Sequence, residues 1–155
     1  MPVPYTEAMG GNLESNPFQY AAVNVAGTAW EKGNSAITGK SGTRSGANAF
    51  VTGLTAGSYA NNSESYLYTP SFIMTSPGTY TLQFYRKLQL ENNYDGMIVE
   101  SSIDNGTTWQ QVGNSIATNW YDNAFASTNA FAGGVAKFNV DRTAYTLSSR
   151  DVSYL

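Results

Sequence analysis

Apolar and polar side chains alternate most cleanly between Tyr80 and Leu90. Tyr80, Leu82, Phe84, Leu88 and Leu90 fall on one face, and Thr81, Gln83, Lys87 and Gln89 on the other. A two-residue period of this kind predicts a strand with one face in a core. Arg86 falls on the apolar face, where a cation requires a carboxylate or several carbonyls, so the pattern predicts a structural ion pair there. Shorter β-rich runs predict further strands at Ala47 to Thr52, Tyr66 to Thr69, Phe72 to Thr75, Met97 to Ile103, Thr108 to Val112, Ala136 to Val140 and Ala144 to Leu147. Gly and Pro interrupt most windows in which a helical period would show.

Turn clusters separate these runs at Gly39 to Gly46, Ala60 to Ser63, Ser76-Pro77-Gly78, Glu91 to Gly96 and Asp122 to Gly134. Asp104-Asn105-Gly106 is the sharpest of the turn signals. Asn-Gly supplies the left-handed backbone of a tight hairpin between Met97–Ile103 and the strand restarting at Trp109. Short strands with frequent turns predict an all-β fold, a two-sheet antiparallel β-sandwich, in one domain spanning residues 1–155. A chain of that length buries about two-thirds of the surface it exposes when unfolded.

Composition narrows the chemistry. Aromatic residues make up 14% of the chain and charged residues only 12%, so Asn, Ser, Thr and Gly must carry solubility, as in many extracellular β-domains. The net charge of −3 is too mild to steer a charged partner, and the scattered Lys and Arg form no basic stripe for nucleic acid. Cys and His are both absent. That removes disulfides, thiolate nucleophiles, Ser-His-Asp machinery and imidazole-based metal sites together. No run approaches the ~20 apolar residues of a membrane span, and Met1-Pro2-Val3-Pro4 lacks the features of an export signal.

Several pieces, in order and spacing, resemble the MAM-like jelly-roll modules of secreted bacterial peptidases, glycoside hydrolases and adhesins, including type IX secretion cargo. Ala29-Trp30-Glu31-Lys32-Gly33 is similar to a Trp-x-x-Gly element, and Phe50-Val51-Thr52-Gly53 to a (Trp/Phe)-x-Thr strand. Gly57-Ser58-Tyr59-Ala60-Asn61-Asn62 resembles a Gly-x-Tyr-x-Asn turn. Tyr66-Leu67-Tyr68-Thr69-Pro70-Ser71-Phe72 resembles Tyr-Leu-x-Ser-Pro-x-Phe, with Thr69 in place of Ser. Ser102 to Trp109 is similar to Ser-x-Asp-Gly-Gly-x-x-Trp. The resemblance spans about Tyr5 to Trp120 and implies a jelly-roll form of the sandwich, in a secreted or cell-surface protein.

Departures from the family pattern matter as well. The usual Phe-Glu opening is missing. After Tyr145-Thr146-Leu147 the chain ends at Asp151-Val152-Ser153-Tyr154-Leu155, where the family continues through further strands. The resemblance therefore implies a jelly roll lacking its C-terminal strands, which either a strand-donating partner chain completes or a longer protein supplies.

Candidate site residues follow from residue type. Trp120-Tyr121-Asp122-Asn123 and Asn92-Asn93-Tyr94-Asp95 are polar-aromatic loops in which rings could stack on a sugar face while Asp and Asn bind its hydroxyls. The expected ligand-binding set is Trp120, Tyr121, Asp122, Asn123, Tyr94 and Asn93, with a glycan or surface protein as partner. The competing reading folds Trp120 back over the sandwich edge. Trp30 and Trp109 are expected in the core. Calcium is the one ion suited to so oxygen-rich a ligand set, with Asp95, Asp104 and Glu7 as candidate ligands, although a turn explains Asp104 equally well. Glu91, Asp95, Glu100 and Asp104 are the nearest approach to a glycosidase pair. Their dispersal between turns and a strand predicts no catalysis. The sequence expectation is thus an adhesion or carbohydrate-binding module, or else an assembly module that pairs a strand edge with a partner chain.

Overall fold

A computed structural model describes residues 21–75, 77–91, 94–122 and 134–155. The described residues contain strands, turns and bends and no helix, so the all-β expectation holds, and no segment has the length and apolarity of a membrane-crossing helix. The chain divides into two compact units, residues 1–75 and 76–155.

The first unit carries β1 (Ala21–Ala26), β2 (Trp30–Gly33), β3 (Ala49–Thr52) and β4 (Glu64–Tyr68). β1 pairs antiparallel with β4, Val23 opposite Tyr66, with a bulge between Asn24 and Ala26. β2 pairs antiparallel with β3, Trp30 opposite Thr52. The turn after β3 depends on Gly53, whose φ of 64° is costly for other residues. Lys40 clamps that turn, its Nζ donating to the carbonyls of Thr52, Gly53 and Ala56 at 3.1, 3.3 and 3.1 Å. Glu31 Oε1 accepts from Leu54 N at 2.9 Å. Polar ties of this kind hold the unit together. Among the described residues every fully buried hydrophobic side chain lies in the other unit, while Val23, Val25, Phe72 and Ile73 are exposed here.

The second unit carries β5 (Thr81–Leu88), β6 (Glu100–Ser101), β7 (Gln110–Gln111) and β8 (Arg142–Asp151). β5 and β8 form a long antiparallel ribbon running from Thr81 opposite Asp151 to Leu88 opposite Arg142, with an irregularity between Arg86 and Leu88. Alternation along β5 is as its sequence requires. Tyr80, Leu82, Phe84 and Leu88 pack against the buried cluster of Val112, Trp120, Tyr121, Ala136, Phe138 and Val152, whereas Thr81, Gln83 and Tyr85 face solvent.

The Asn-Gly turn sets the register of β6 and β7. Asn105 and Gly106 both adopt positive φ, 55° and 84°, and Thr107 N donates to Asp104 O across them at 3.3 Å. A two-residue loop at these positions requires Ser101 opposite Gln110 and Glu100 opposite Gln111, the pairs observed. The next pair outward, Val99 with Val112, is joined at 2.8 Å.

Several boundaries differ from expectation. Phe72–Thr75 forms no strand, Ile73 making only a bridge, and Ala136–Val140 reduces to bridges at Lys137 and Phe138, the latter opposite Met97. β1 and β2 were not foreseen as strands. Their Ala, Asn and Gly residues give little β-propensity, and pairing with β4 and β3 overrides it.

Candidate functional site

Trp120 and Tyr121 occupy the centre of the second unit's core, 1% and 0% exposed. Phe138 packs against both, its centroid 5.4 Å from Trp120 and 4.8 Å from Tyr121, and Phe84 meets Trp120 edge-on at 5.8 Å. Their polar atoms are also committed. Trp120 Nε1 donates to Val112 O at 3.0 Å, while the Tyr121 hydroxyl donates to Val99 O at 3.1 Å and accepts from Val99 N at 2.9 Å. Burial pushes the Tyr121 phenol pKa up. The expected stacking role of this pair is therefore corrected. No ring face is left for a sugar, and Trp120 lies within the buried cluster, deeper than the expected alternative of a ring folded over the sandwich edge.

Asp122 is corrected for a related reason. Its Oδ2 accepts from Arg86 Nη2 at 2.9 Å and lies 3.6 Å from Arg142 Nη2. Its Oδ1 accepts from the backbone N–H groups of Asn139 and Val140 at 2.9 and 3.1 Å. Arg86 completes the network, donating through Nη1 to Ser148 Oγ and lying 4.1 Å from the Phe138 ring centroid. This is the ion pair that Arg86 on an apolar strand face demands. Burial pulls the Arg86 pKa down against the opposing pull of Asp122, and among the described residues its Nε is a buried donor without a partner.

Asp104 organises the β6–β7 turn. Its Oδ1 accepts from Ser102 Oγ at 2.7 Å and Thr108 N at 2.9 Å, and its Oδ2 accepts from Thr108 Oγ1 at 2.7 Å. These donors, Thr108 first, hold its carboxyl at about 2. Both oxygens are in use within the turn, which accounts for Asp104 as a turn residue. Asp95 uses its carbonyl to accept from Asn139 Nδ2 at 2.6 Å. Among the described residues no three acidic side chains come together around a cation position. Glu7, Asn93 and Asn123 lie outside the described residues.

A pH-dependent prediction follows from Asp104. Its folded pKa is depressed, so its contribution to stability is present above the unfolded value near 4 and is lost as pH falls towards 2. Asp104→Ala is expected to lower the melting temperature at pH 7, with the gap to the unaltered chain closing between about pH 4 and pH 2. Thermal melts across that range check it; a gap that stays constant with pH rules it out.

Other aromatic rings remain at the surface. Trp109, expected in the core, lies over its own turn, with Nε1 donating to Gly106 O at 3.1 Å, and remains 43% exposed. Tyr85 and Tyr94 are exposed to a similar degree, and Tyr154 is 61% exposed. Tyr94 is thus the one described ring of the expected set that reaches solvent.

Tyr154 borders a feature the sequence did not reveal. An open depression of about 620 Å³ is lined by Ser149, Arg150, Asp151, Ser153 and Tyr154. Asp151 there accepts from Ser153 N and Oγ at 2.8 and 2.6 Å, and these donors lower its pKa. Ser153 Oγ in turn accepts from Tyr80 N at 2.7 Å. Nothing in local patterning marks these residues as a group; the pairing of β8 with β5 places the segment after β8 beside Tyr80. Comparison of the chain with protein-family models, curated proteins and solved structures found no match.

Proposed function

We propose that the chain is a non-catalytic adhesion or carbohydrate-binding module of a secreted or cell-surface bacterial protein, of the MAM-like jelly-roll kind. One observation carries this reading. In the second unit the aromatic residues divide into a buried set, Trp120, Tyr121 and Phe138, and an exposed set, Trp109, Tyr85, Tyr94 and Tyr154. Large rings held at the surface of a weakly charged scaffold offer apolar faces with polar edges, the chemistry suited to sugar rings and protein surfaces. The carboxylates of Asp104, Asp122 and Asp151 meanwhile serve as hydrogen-bond acceptors within the fold, which supports binding over turnover.

Trp109→Ala, Tyr94→Ala and Tyr154→Ala, each assayed on a glycan panel alongside the unaltered chain, test the reading. At least one is expected to weaken binding tenfold or more, about 1.4 kcal/mol per decade, with the circular dichroism spectrum retained. Undiminished binding in all three, or no binding by the unaltered chain, overturns it.

A second reading, assembly by strand addition, is favoured by β1. Residues 22–26 of β1 are all exposed, Ala21–Ala26 contains no charged residue, and among the described strands β1 pairs with β4 alone. An uncharged edge strand lacks the usual guard against joining another chain, and the bulge at Asn24–Ala26 is the one protective feature it carries. Concentration-dependent size-exclusion elution, abolished by Val23→Lys, is the outcome this second reading requires.

A further inference from the structure

We propose that Asn105 is a latent covalent modification site, converted through a succinimide to isoaspartate or aspartate only when the β6–β7 turn opens, and that Ser102 is the residue that keeps it closed. The inference stands independently of the binding reading above.

The chemistry of the turn creates the liability. Asn105-Gly106 is the single Asn-Gly pair of the chain, and both residues are exposed to water. The turn needs them for their positive φ, 55° and 84°. The same pair is the one most open to ring closure, because glycine sets no side chain beside its backbone nitrogen. In that reaction Gly106 N attacks Asn105 Cγ and a new N–C bond forms. The carboxamide nitrogen leaves as ammonia, taking the proton that Gly106 N gives up. Water then opens the ring at Cγ, which yields aspartate, or at the Asn105 backbone carbonyl carbon, which yields isoaspartate.

Gly106 N, the nucleophile, is the atom that the fold holds. It donates to Ser102 Oγ at 2.7 Å, and Ser102 Oγ donates in turn to Asp104 Oδ1 at 2.7 Å. Asp104 is fixed by Thr108 N and Oγ1 at 2.9 and 2.7 Å. On the other side of the glycine, Gly106 O accepts from Trp109 Nε1 at 3.1 Å. A turn with these φ values holds a ψ of about +30° at its first central residue. Ring closure rotates the Asn105–Gly106 peptide away from that value, so its N–H must first leave Ser102. The hydrogen-bond chain is no proton relay, because the Asp104 carboxylate at its end is held at about 2 and is too weak a base to deprotonate an amide.

Conversion has a structural consequence. An isoaspartyl link adds a backbone atom to a two-residue loop whose length sets Ser101 opposite Gln110. The register of β6 and β7 is then lost, together with the tie between Gly106 and Trp109.

Peptide-mapping mass spectrometry of the full chain, aged near neutral pH in buffer and in guanidinium chloride, tests the site. Deamidation of Asn105 is expected to be at least about tenfold slower in buffer, where the turn must open first. Ser102→Ala is expected to raise the rate in buffer about fivefold, the value of one lost hydrogen bond. Ser102→Thr, which keeps the hydroxyl, is expected to stay near the rate of the unaltered chain, and in denaturant all three are expected to react alike. Equal rates for the unaltered chain in buffer and in denaturant overturn the proposal, and this comparison requires no variant to fold. A Ser102→Ala chain that circular dichroism shows to be folded, yet that deamidates no faster than the unaltered chain, also overturns it. So does a Ser102→Thr chain that reacts as fast as Ser102→Ala.

Discussion

Asp122→Ala is expected to lower the free energy of unfolding by about 3–5 kcal/mol, the magnitude that follows loss of one partner from a buried pair. Asp122 accepts from Arg86 on β5 and from the backbone N–H groups of Asn139 and Val140, and lies within ion-pair range of Arg142 on β8. Removing its carboxylate leaves the Arg86 charge among Phe138 and Ser148 with no counter-ion, and leaves two backbone donors unaccepted. Chemical denaturation of Asp122→Ala, Arg86→Met and the double variant Arg86→Met/Asp122→Leu separates these contributions. The double variant is expected to be more stable than Asp122→Ala, because it removes the stranded charge together with its partner. A loss below about 1 kcal/mol for Asp122→Ala would show that water reaches Arg86 and screens it.

The same network shows how far the sequence could be read. Arg86 broke the apolar face of an otherwise regular strand, and that single violation was enough to require a buried partner. The partner itself was not visible. Asp122 lies 36 residues further on, in a stretch whose Trp, Tyr, Asp and Asn have the composition of a sugar-binding loop. Local patterning is the same whether such a loop faces outward or folds in; long-range packing against Phe84 and Phe138 decides it.

Turn chemistry was more legible than strand extent. Asn105-Gly106 specified both the hairpin and its register, because left-handed backbone at two successive positions permits few alternatives. The strands flanking it shrank to Glu100–Ser101 and Gln110–Gln111, since strand length depends on which neighbours supply hydrogen bonds. Ala21–Ala26 carried no alternating pattern strong enough to predict β1. The depression beside Arg150 was illegible for a further reason. Its lining forms only when β8 pairs with β5, which sets Ser153 against Tyr80, 73 residues earlier in the chain.

Chemistry-bearing side chains are thus divided between scaffold and surface. Asp122 was expected as a ligand contact and Asp104 was offered both as a turn residue and as a metal ligand, and each accepts from backbone N–H groups of the fold. Buried or turn-forming N–H groups demand acceptors, and in a chain with only eleven Asp and Glu several of those acceptors are drawn from the carboxylates.

Trp120→Ala carries the other large effect, an expected loss of about 3–5 kcal/mol. The indole contacts the rings of Phe84, Tyr121 and Phe138 at centroid separations of 5.8, 5.3 and 5.4 Å, so truncation opens a cavity in the middle of the one buried apolar cluster of the described residues. It also strands the Val112 carbonyl, which accepts from Nε1. Trp120→Phe keeps most of the ring contacts and loses the hydrogen bond and part of the volume, with an expected loss of about 1–2 kcal/mol. The pair therefore distinguishes packing from recognition. A Trp120→Phe chain that is measurably less stable, yet binds its ligand with unchanged affinity at temperatures where it is folded, is the result expected of a core residue. A chain of unaltered stability that has lost its ligand would instead require the indole to be accessible, and the core described for the second unit would have to open.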